Sequence, residues 1–122
     1  ALHIVNAEKD HDIKVIYNIT HIMQAISNIV KYYFGISFDE ESVSYYRFIP
    51  HLTFFSERLI NENAYTGEED DGLLDVIKVK YKNSYECVEK ISRFIEEQYN
   101  YVLANEEKLY LTIHIEKIVS RS

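Results

Sequence analysis

Residues 19–33 read ITHIMQAISNIVKYY, and their apolar side chains recur every three or four positions. This spacing matches the 3.6-residue period of an α-helix and predicts one wide apolar face. Asn18 or Thr20 is a suitable N-cap, and Gly35 is a suitable stop because glycine adopts the left-handed conformation that ends many helices. The stretch therefore predicts an all-α fold built around this helix, whose apolar face comprises Ile19, Ile22, Met23, Ile26, Ile29, Val30 and Tyr33.

A second helix is predicted to begin at the segment Ser37-Phe38-Asp39-Glu40. This segment matches a capping box, with acidic residues near the positive helix end. Pro50 falls inside the helix and is expected to kink it, because proline lacks a backbone N–H and crowds the preceding turn. The apolar stripe of this helix comprises Tyr45, Phe48, Leu52, Phe55 and Leu59.

Three shorter helical patterns follow a polar, acidic loop over Asn61–Gly72. A third helix is predicted around Leu73–Tyr81. Asn83 or Ser84 is expected to cap a fourth, whose core face carries Cys87, Val88, Ile91, Phe94 and Ile95. Asn105 is expected to cap a fifth, with Glu106 and Glu107 in its first turn and an apolar run through Tyr110, Leu111, Ile113, Ile115 and Ile118. The sequence thus predicts a compact five-helix bundle without strands.

The start of the chain combines a short apolar repeat with a polar segment. Val5–Asp12 is rich in charged side chains and is predicted to be a linker, whereas Ile13–Tyr17 is compatible with either helix or extended backbone. Ala1–Val5 is similar to Thr112–Glu116, because both contain an apolar residue followed by His and Ile. The two copies are about one domain length apart, so we interpret the first as the tail of a preceding copy.

Composition and charge narrow the class of protein. A length of 122 residues with 47% hydrophobic side chains suits one domain with one core. The net charge of -7 argues against autonomous binding to nucleic acid, since an acidic surface repels phosphate backbones. Cys87 is the one cysteine and has no disulfide partner, which predicts a reducing, cytoplasmic location. No apolar run reaches the roughly 20 residues of a membrane helix, so no membrane partner is expected.

The histidines are the candidate reactive groups. None of the five has the spacing of a metal site, and the sequence contains neither a glycine-rich phosphate loop nor a serine elbow. We therefore expect no metal, no cofactor, no catalytic residues and no enzymatic activity, and we interpret the acidic run Glu68–Asp71 as a solvated loop rather than a calcium site. His11 and His21 are expected to be ordinary surface residues.

His51 stands out because its predicted helix places cations nearby. Arg47 lies four positions before it and Arg58 seven positions after it. A cation disfavours the protonated imidazole, and the neutral ring is the nucleophile that attacks a phosphoryl group. The same arginines could then pair with the phosphate. The alternative is a partly buried helix histidine whose neighbouring arginines point to water.

His114 lies among apolar residues of the fifth helix. One interpretation is a core or interface histidine with one satisfied nitrogen. The other is a switch, because phosphorylating a ring with apolar neighbours would force repacking or movement toward water. The spacing of the residues alone does not decide between these two interpretations of His114.

Three segments resemble the PTS regulation domain (PRD). Residues 42–59, around His51, are similar to its first histidine motif, and residues 110–117, around His114, are similar to its second. Residues 80–87 also fit, so the similarity spans nearly the whole chain. It is strongest to the second such domain of BglG/LicT-type transcriptional antiterminators. Residues 1–10 then correspond to the tail of a preceding PRD plus a linker, with His3 matching that domain's second histidine, and residues 11–122 to the second PRD.

The resemblance implies a regulatory function. Such proteins carry an N-terminal RNA-binding domain, and the sugar phosphotransferase system phosphorylates their regulatory histidines, chiefly through HPr, with a sugar-specific enzyme II as a further partner. By motif, His51 and His114 are the phosphoacceptors, with Arg47 and Arg58 as possible neighbours of the phosphate. Phosphorylation controls homodimerisation and thereby RNA binding by the separate domain. A PRD from a DNA-binding activator and a helical dimerisation module that is not phosphorylated are the alternatives.

Overall fold

The computed structural model describes the backbone of residues 2–61 and 72–120, with side chains from Asp12 onward within those ranges. It contains, in that part of the chain, the helices α1 (Leu2–Phe34), α2 (Val43–Ile60), α3 (Leu73–Lys80), α4 (Lys82–Tyr99) and α5 (Asn105–Val119). The predicted five-helix, all-α fold is therefore confirmed. The acidic run Glu68–Asp71 and the side chains of His3 and His11 lie outside the described residues.

The helices enclose one apolar core. α4 and α2 both pack on α5, α1 packs on α2 and α4, and α3 covers α4 and α5. The predicted apolar faces supply this core, since burying them removes a large apolar area from water. Its fully buried side chains include Ile22, Ile26, Val30, Phe48, Leu52, Cys87, Val88, Ile91, Ile95 and Ile115.

The predicted linker over Val5–Asp12 is wrong. α1 runs without a break from Leu2 to Phe34 and also includes Ile13–Tyr17. No glycine or proline interrupts it, and extending an existing helix adds one hydrogen bond for each residue fixed, so polar side chains do not stop it. The predicted stop at Gly35 is confirmed, with φ of 65° and Ile36 N–H donating to the Lys31 carbonyl. The domain boundary near residue 10 stays a prediction.

The predicted start of α2 is wrong by several residues. Ser37 does not cap the helix, because residues 36–42 precede it, and the Asp39 carboxylate accepts from the backbone N–H of Glu41 in a separate turn. The N-cap is Ser42, whose hydroxyl oxygen accepts from the backbone N–H of Tyr45 at 3.1 Å. α2 then continues through Pro50 to Ile60, and the kink at Pro50 stays a prediction.

The caps of α4 and α5 also differ from the predictions. α4 begins at Lys82, so neither Asn83 nor Ser84 caps it. Ser84 is instead buried and its hydroxyl donates to Glu116 Oε2 of α5 at 2.6 Å. The residue before α5 is Ala104 rather than Asn105, and its backbone N–H donates to the Glu107 carboxylate. The carboxylate of Glu107, the third residue of α5, thus accepts a backbone N–H at the start of the helix, in place of the cap that was expected from Asn105.

Candidate functional site

His51 and His114 meet where α2 packs on α5. The centroids of the two imidazole rings lie 4.3 Å apart, and the ring planes are tilted by 38°. His51 is exposed and His114 is partly buried. The sequence singled out both residues but not their proximity, since 63 positions separate them. The packing of two helices therefore converts two separate motifs into one site.

A surface cavity of about 430 Å³ opens beside the two rings. Aromatic side chains dominate its wall, and Phe54 and Tyr110 remain largely exposed at 60% and 46%. The Tyr110 ring is nearly parallel to that of His51, at a centroid distance of 6.4 Å. The imidazoles are thus accessible from an apolar rim; the lining residues are His51, Phe54, Phe55, Arg58, Glu107, Tyr110, Leu111 and His114.

Glu107 forms a buried polar network at one end of this cavity. Its side chain is only 1% exposed and forms an ion pair with Arg58, from Nη2 to Oε2, at 2.9 Å. The Tyr101 hydroxyl donates to the same carboxylate at 3.0 Å, as does the Ala104 backbone N–H. A buried carboxylate needs such partners, because leaving it unpaired in a low-dielectric environment is costly. The network fixes Arg58 next to the histidine pair.

A second cavity of about 340 Å³ lies on another side of His114. It is lined by Val43, Ser44, Arg47, His114, Lys117 and Ser120. The two arginines predicted as possible phosphate neighbours therefore occupy different cavities: Arg58 lines the first, together with His51, and Arg47 lines the second. His114 borders both.

The environment of His114 keeps its ring neutral. Its pKa is lowered to about 4, chiefly by burial, and the neighbouring charges of His51, Lys117 and Arg47 contribute in the same direction. At neutral pH one ring nitrogen therefore keeps a free lone pair, which is the form that can act as a nucleophile.

The expectation that His114 has apolar neighbours is wrong. Phe48 does lie nearby, with ring centroids 6.5 Å apart. However, Lys117 is one helical turn beyond His114 on α5, and Arg47 reaches it from α2. Of the apolar residues around His114 in the sequence, Leu111 lines the first cavity beside it, whereas Ile115 is buried in the core.

Sequence reasoning missed the role of Glu107 and of Tyr101. Glu107 was expected only to complement the positive end of α5. One available signal was its spacing of seven residues from His114, which repeats the spacing of Arg58 from His51. The equal spacing of these two pairs indicates that they lie on the faces of α2 and α5 that contact each other. Tyr101 lies in the segment between α4 and α5 and gave no signal.

The remaining candidate groups lie elsewhere. His21 is exposed on α1, as predicted, and lies against Tyr17. Cys87 is buried, and burial raises the pKa of its thiol to about 12. Among the side chains that the structure describes, within residues 12–61 and 72–120, we find no group of three or more potential metal ligands. Likewise, none of the helices described above has the length and apolar character needed to cross a membrane.

Comparison with known proteins places this geometry in a family. The PRD domain family matches residues 11–118. The chain is 52% identical over 122 residues to the transcription antiterminator LicT of Bacillus subtilis, covering all of this chain and 44% of the relative. It is 44% identical over 120 residues to the beta-glucoside operon antiterminator of Dickeya chrysanthemi, covering 98% of this chain and 42% of the relative. Protein GlcT of Staphylococcus haemolyticus is 31% identical over 115 residues, which cover 94% of this chain and 40% of the relative.

The chain spans less than half the length of these relatives. The names of the first two describe antiterminators, and the match to the family extends across α2 and α5 and therefore across the histidine pair. The sequence matches show that the chain belongs to the PRD domain family, of the kind found in transcription antiterminators.

Proposed function

We propose that this domain regulates a transcription antiterminator by accepting phosphoryl groups on His51 and His114. The observation that carries the proposal is the accessible pair of imidazole rings, whose centroids lie 4.3 Å apart where α2 packs on α5. The depressed pKa of His114 supports it, because a neutral ring is required for attack on phosphorus. Membership of the PRD family, whose regulation involves the sugar phosphotransferase system, supports the same role.

The reaction is a phosphoryl transfer between histidines. A ring nitrogen of the acceptor attacks the phosphorus of phosphorylated HPr, the N–P bond to the donor histidine breaks, and a new N–P bond forms. The acceptor loses its other ring proton to solvent, and the donor imidazole takes one up. Cations next to the acceptor offset the arriving charge of roughly -1.5 to -2. Here Arg58 and Arg47 are the cations beside the two rings.

The donor would approach over the first cavity. His51 is exposed there, and the apolar side chains of Phe54 and Tyr110 form a rim suited to a protein partner. We assign this rim to HPr, with a sugar-specific enzyme II as a second regulatory partner. The domain itself is the acceptor and not the catalyst of the transfer.

Phosphorylation would act by changing how two copies of the chain associate. A phosphate placed between α2 and α5 alters the charge of a surface shared by two helices. We propose that this change controls homodimerisation, and through it RNA binding by a separate N-terminal domain. Sedimentation should show a dimer in at least one state, either unmodified or with acidic substitutions at both histidines. A monomer in both states would contradict the dimer.

A labelling experiment tests the acceptor assignment. The chain is incubated with labelled phosphoenolpyruvate, the general phosphotransferase enzyme and HPr. We expect acid-labile phosphate, which His51→Ala combined with His114→Ala should abolish. His21→Ala is the matched control, since His21 is an exposed helix histidine outside the site, and it should label normally. Labelling of the double variant, or no labelling of the unaltered chain by active HPr, would favour a purely structural helical module.

A further inference from the structure

We propose that the phosphoryl group on His114 is held by Arg47 and Lys117 in the second cavity and not by Arg58. The two histidines then use different cations. This inference rests on the proposed function, because it requires a phosphoryl group on His114. It adds Lys117 as a phosphate-binding residue and moves Arg47 from His51 to His114.

The first cavity is a poor location for a second anion. Arg58 is the one lysine or arginine among its lining residues, and its guanidinium already pairs with the buried carboxylate of Glu107. A phosphoryl group on that side of His114 would approach a fixed negative charge. Charges of equal sign at short range in a partly buried location are strongly unfavourable.

The second cavity has the opposite character. Arg47 and Lys117 both line it, and no carboxylate of the described residues does. Within the described residues, neither cation forms an ion pair. Ser44 and Ser120 add two hydroxyl groups to the same wall. Hydroxyls and a guanidinium are suitable donors for the three acceptor oxygens of a phosphoryl group.

The helix geometry brings these side chains to His114 from two directions. Lys117 follows His114 by three positions, so both lie on one face of α5. Arg47 comes from the facing helix α2, one turn before His51. A phosphoryl group on the ring would therefore lie between a cation on its own helix and a cation on the neighbouring one.

The titration of His114 in the unmodified chain is consistent with this arrangement. Lys117 and Arg47 both contribute to lowering its pKa, so both charges act on the ring. The same charges that oppose a proton on the ring favour an anion attached to it.

The test uses potassium phosphoramidate, which phosphorylates histidine without HPr. The ring nitrogen takes the phosphoryl group as the N–P bond of phosphoramidate breaks, and the departing ammonia takes the ring proton. In a background in which His3, His11, His21 and His51 are all replaced by Ala, the label reports on His114, and ³¹P NMR follows the second ionisation of the phosphoryl group with pH. Cations that bind the dianion lower this midpoint. Arg47→Gln with Lys117→Gln should therefore raise it by about one pH unit, a tenfold change in the ionisation constant.

Two further variants make the assignment specific. Lys14→Gln with Lys82→Gln removes two exposed cations that line neither cavity, and the midpoint should not move. Arg58→Gln should move it less than the Arg47/Lys117 variant does, although it also leaves the Glu107 carboxylate without its cation. An unmoved midpoint in the Arg47/Lys117 variant, a shift of equal size in Arg58→Gln, or no phosphoramidate label on His114 would overturn the proposal. Failure of HPr to label the unaltered chain would instead contradict the proposed function, because the phosphoramidate experiment does not depend on HPr.

Discussion

The rings of His51 and His114 lie 4.3 Å apart, close enough for the charge on one to determine the protonation of the other. His51 is among the groups that depress the pKa of His114. A charge at position 51 therefore acts on the His114 ring across the contact of α2 with α5.

We predict that His114 makes the folded state sensitive to acid. Its pKa of about 4 lies below the value near 6.5 expected for the unfolded chain. Between these values the unfolded state binds more protons, so the free energy of unfolding decreases as pH falls from 6.5 to 4. Urea titrations at pH 7 and pH 5 should show a loss that is about 1 kcal/mol larger for the unaltered chain than for His114→Gln, after allowance for solvent screening. Equal losses would contradict the depressed pKa.

An acidic substitution at His51 should raise the pKa of His114. A carboxylate at position 51 replaces a group that opposes the imidazolium by one that attracts it. Proton NMR of the His114 ring should give a midpoint in His51→Asp well above that in His51→Gln. The Gln variant separates loss of the His51 charge from gain of a negative one. Identical midpoints in the two variants would show that the charge at position 51 does not act on the His114 ring.

Replacing Glu107 should weaken the fold more than removing a surface ion pair. Glu107→Gln removes the buried charge that binds Arg58 and Tyr101, and the cost should be about 1–3 kcal/mol. Glu89→Gln is the matched control, because its bond to Lys108 is partly exposed and is worth at most about 1 kcal/mol. Urea unfolding midpoints measure both. A larger loss in Glu89→Gln would contradict the structural role of the Glu107 network.

Cys87 should be inert in the folded chain. Burial raises the pKa of its thiol to about 12, so almost no thiolate is present at pH 8, and solvent has no access to it. A disulfide-exchange reagent such as Ellman's reagent should react with one thiol per chain in 6 M urea and only at the rate of unfolding without it. Rapid reaction in the absence of denaturant would contradict the position of Cys87 in the core.

The helices and their buried faces follow from the sequence because they depend on local spacing. Ile22, Ile26 and Val30 recur every four residues, and this spacing alone predicts the face that the structure buries. Helix starts were less predictable. Ser37 and Ser42 are both suitable caps in the sequence, and the structure uses Ser42, which follows a turn in which Ser42 N–H donates to the Asp39 carbonyl. The extent of α1 was missed because polar residues were interpreted as a linker although nothing in them breaks a helix.

The candidate site was predictable only as separate parts. The motifs around His51 and His114 identified both residues, but their contact depends on the packing of α2 against α5, which no local pattern describes. In the sequence, Arg47 lies four positions from His51 and far from His114. Its position beside His114 follows from the direction in which the two helices cross, and the structure is needed to see it.

The two polar contacts across α2 and α5 also limit how these helices can move. His51 and Arg58 are seven residues apart on α2, and their respective partners His114 and Glu107 are seven apart on α5. The helices therefore run antiparallel in a fixed register, with contacts about 10 Å apart along the axis. Sliding α5 by one turn would break both contacts together and leave the Glu107 charge buried without Arg58. A rearrangement that accompanies phosphorylation is therefore easier as a rotation or a separation of α5 at the histidine end, with Glu107 as the fixed pivot.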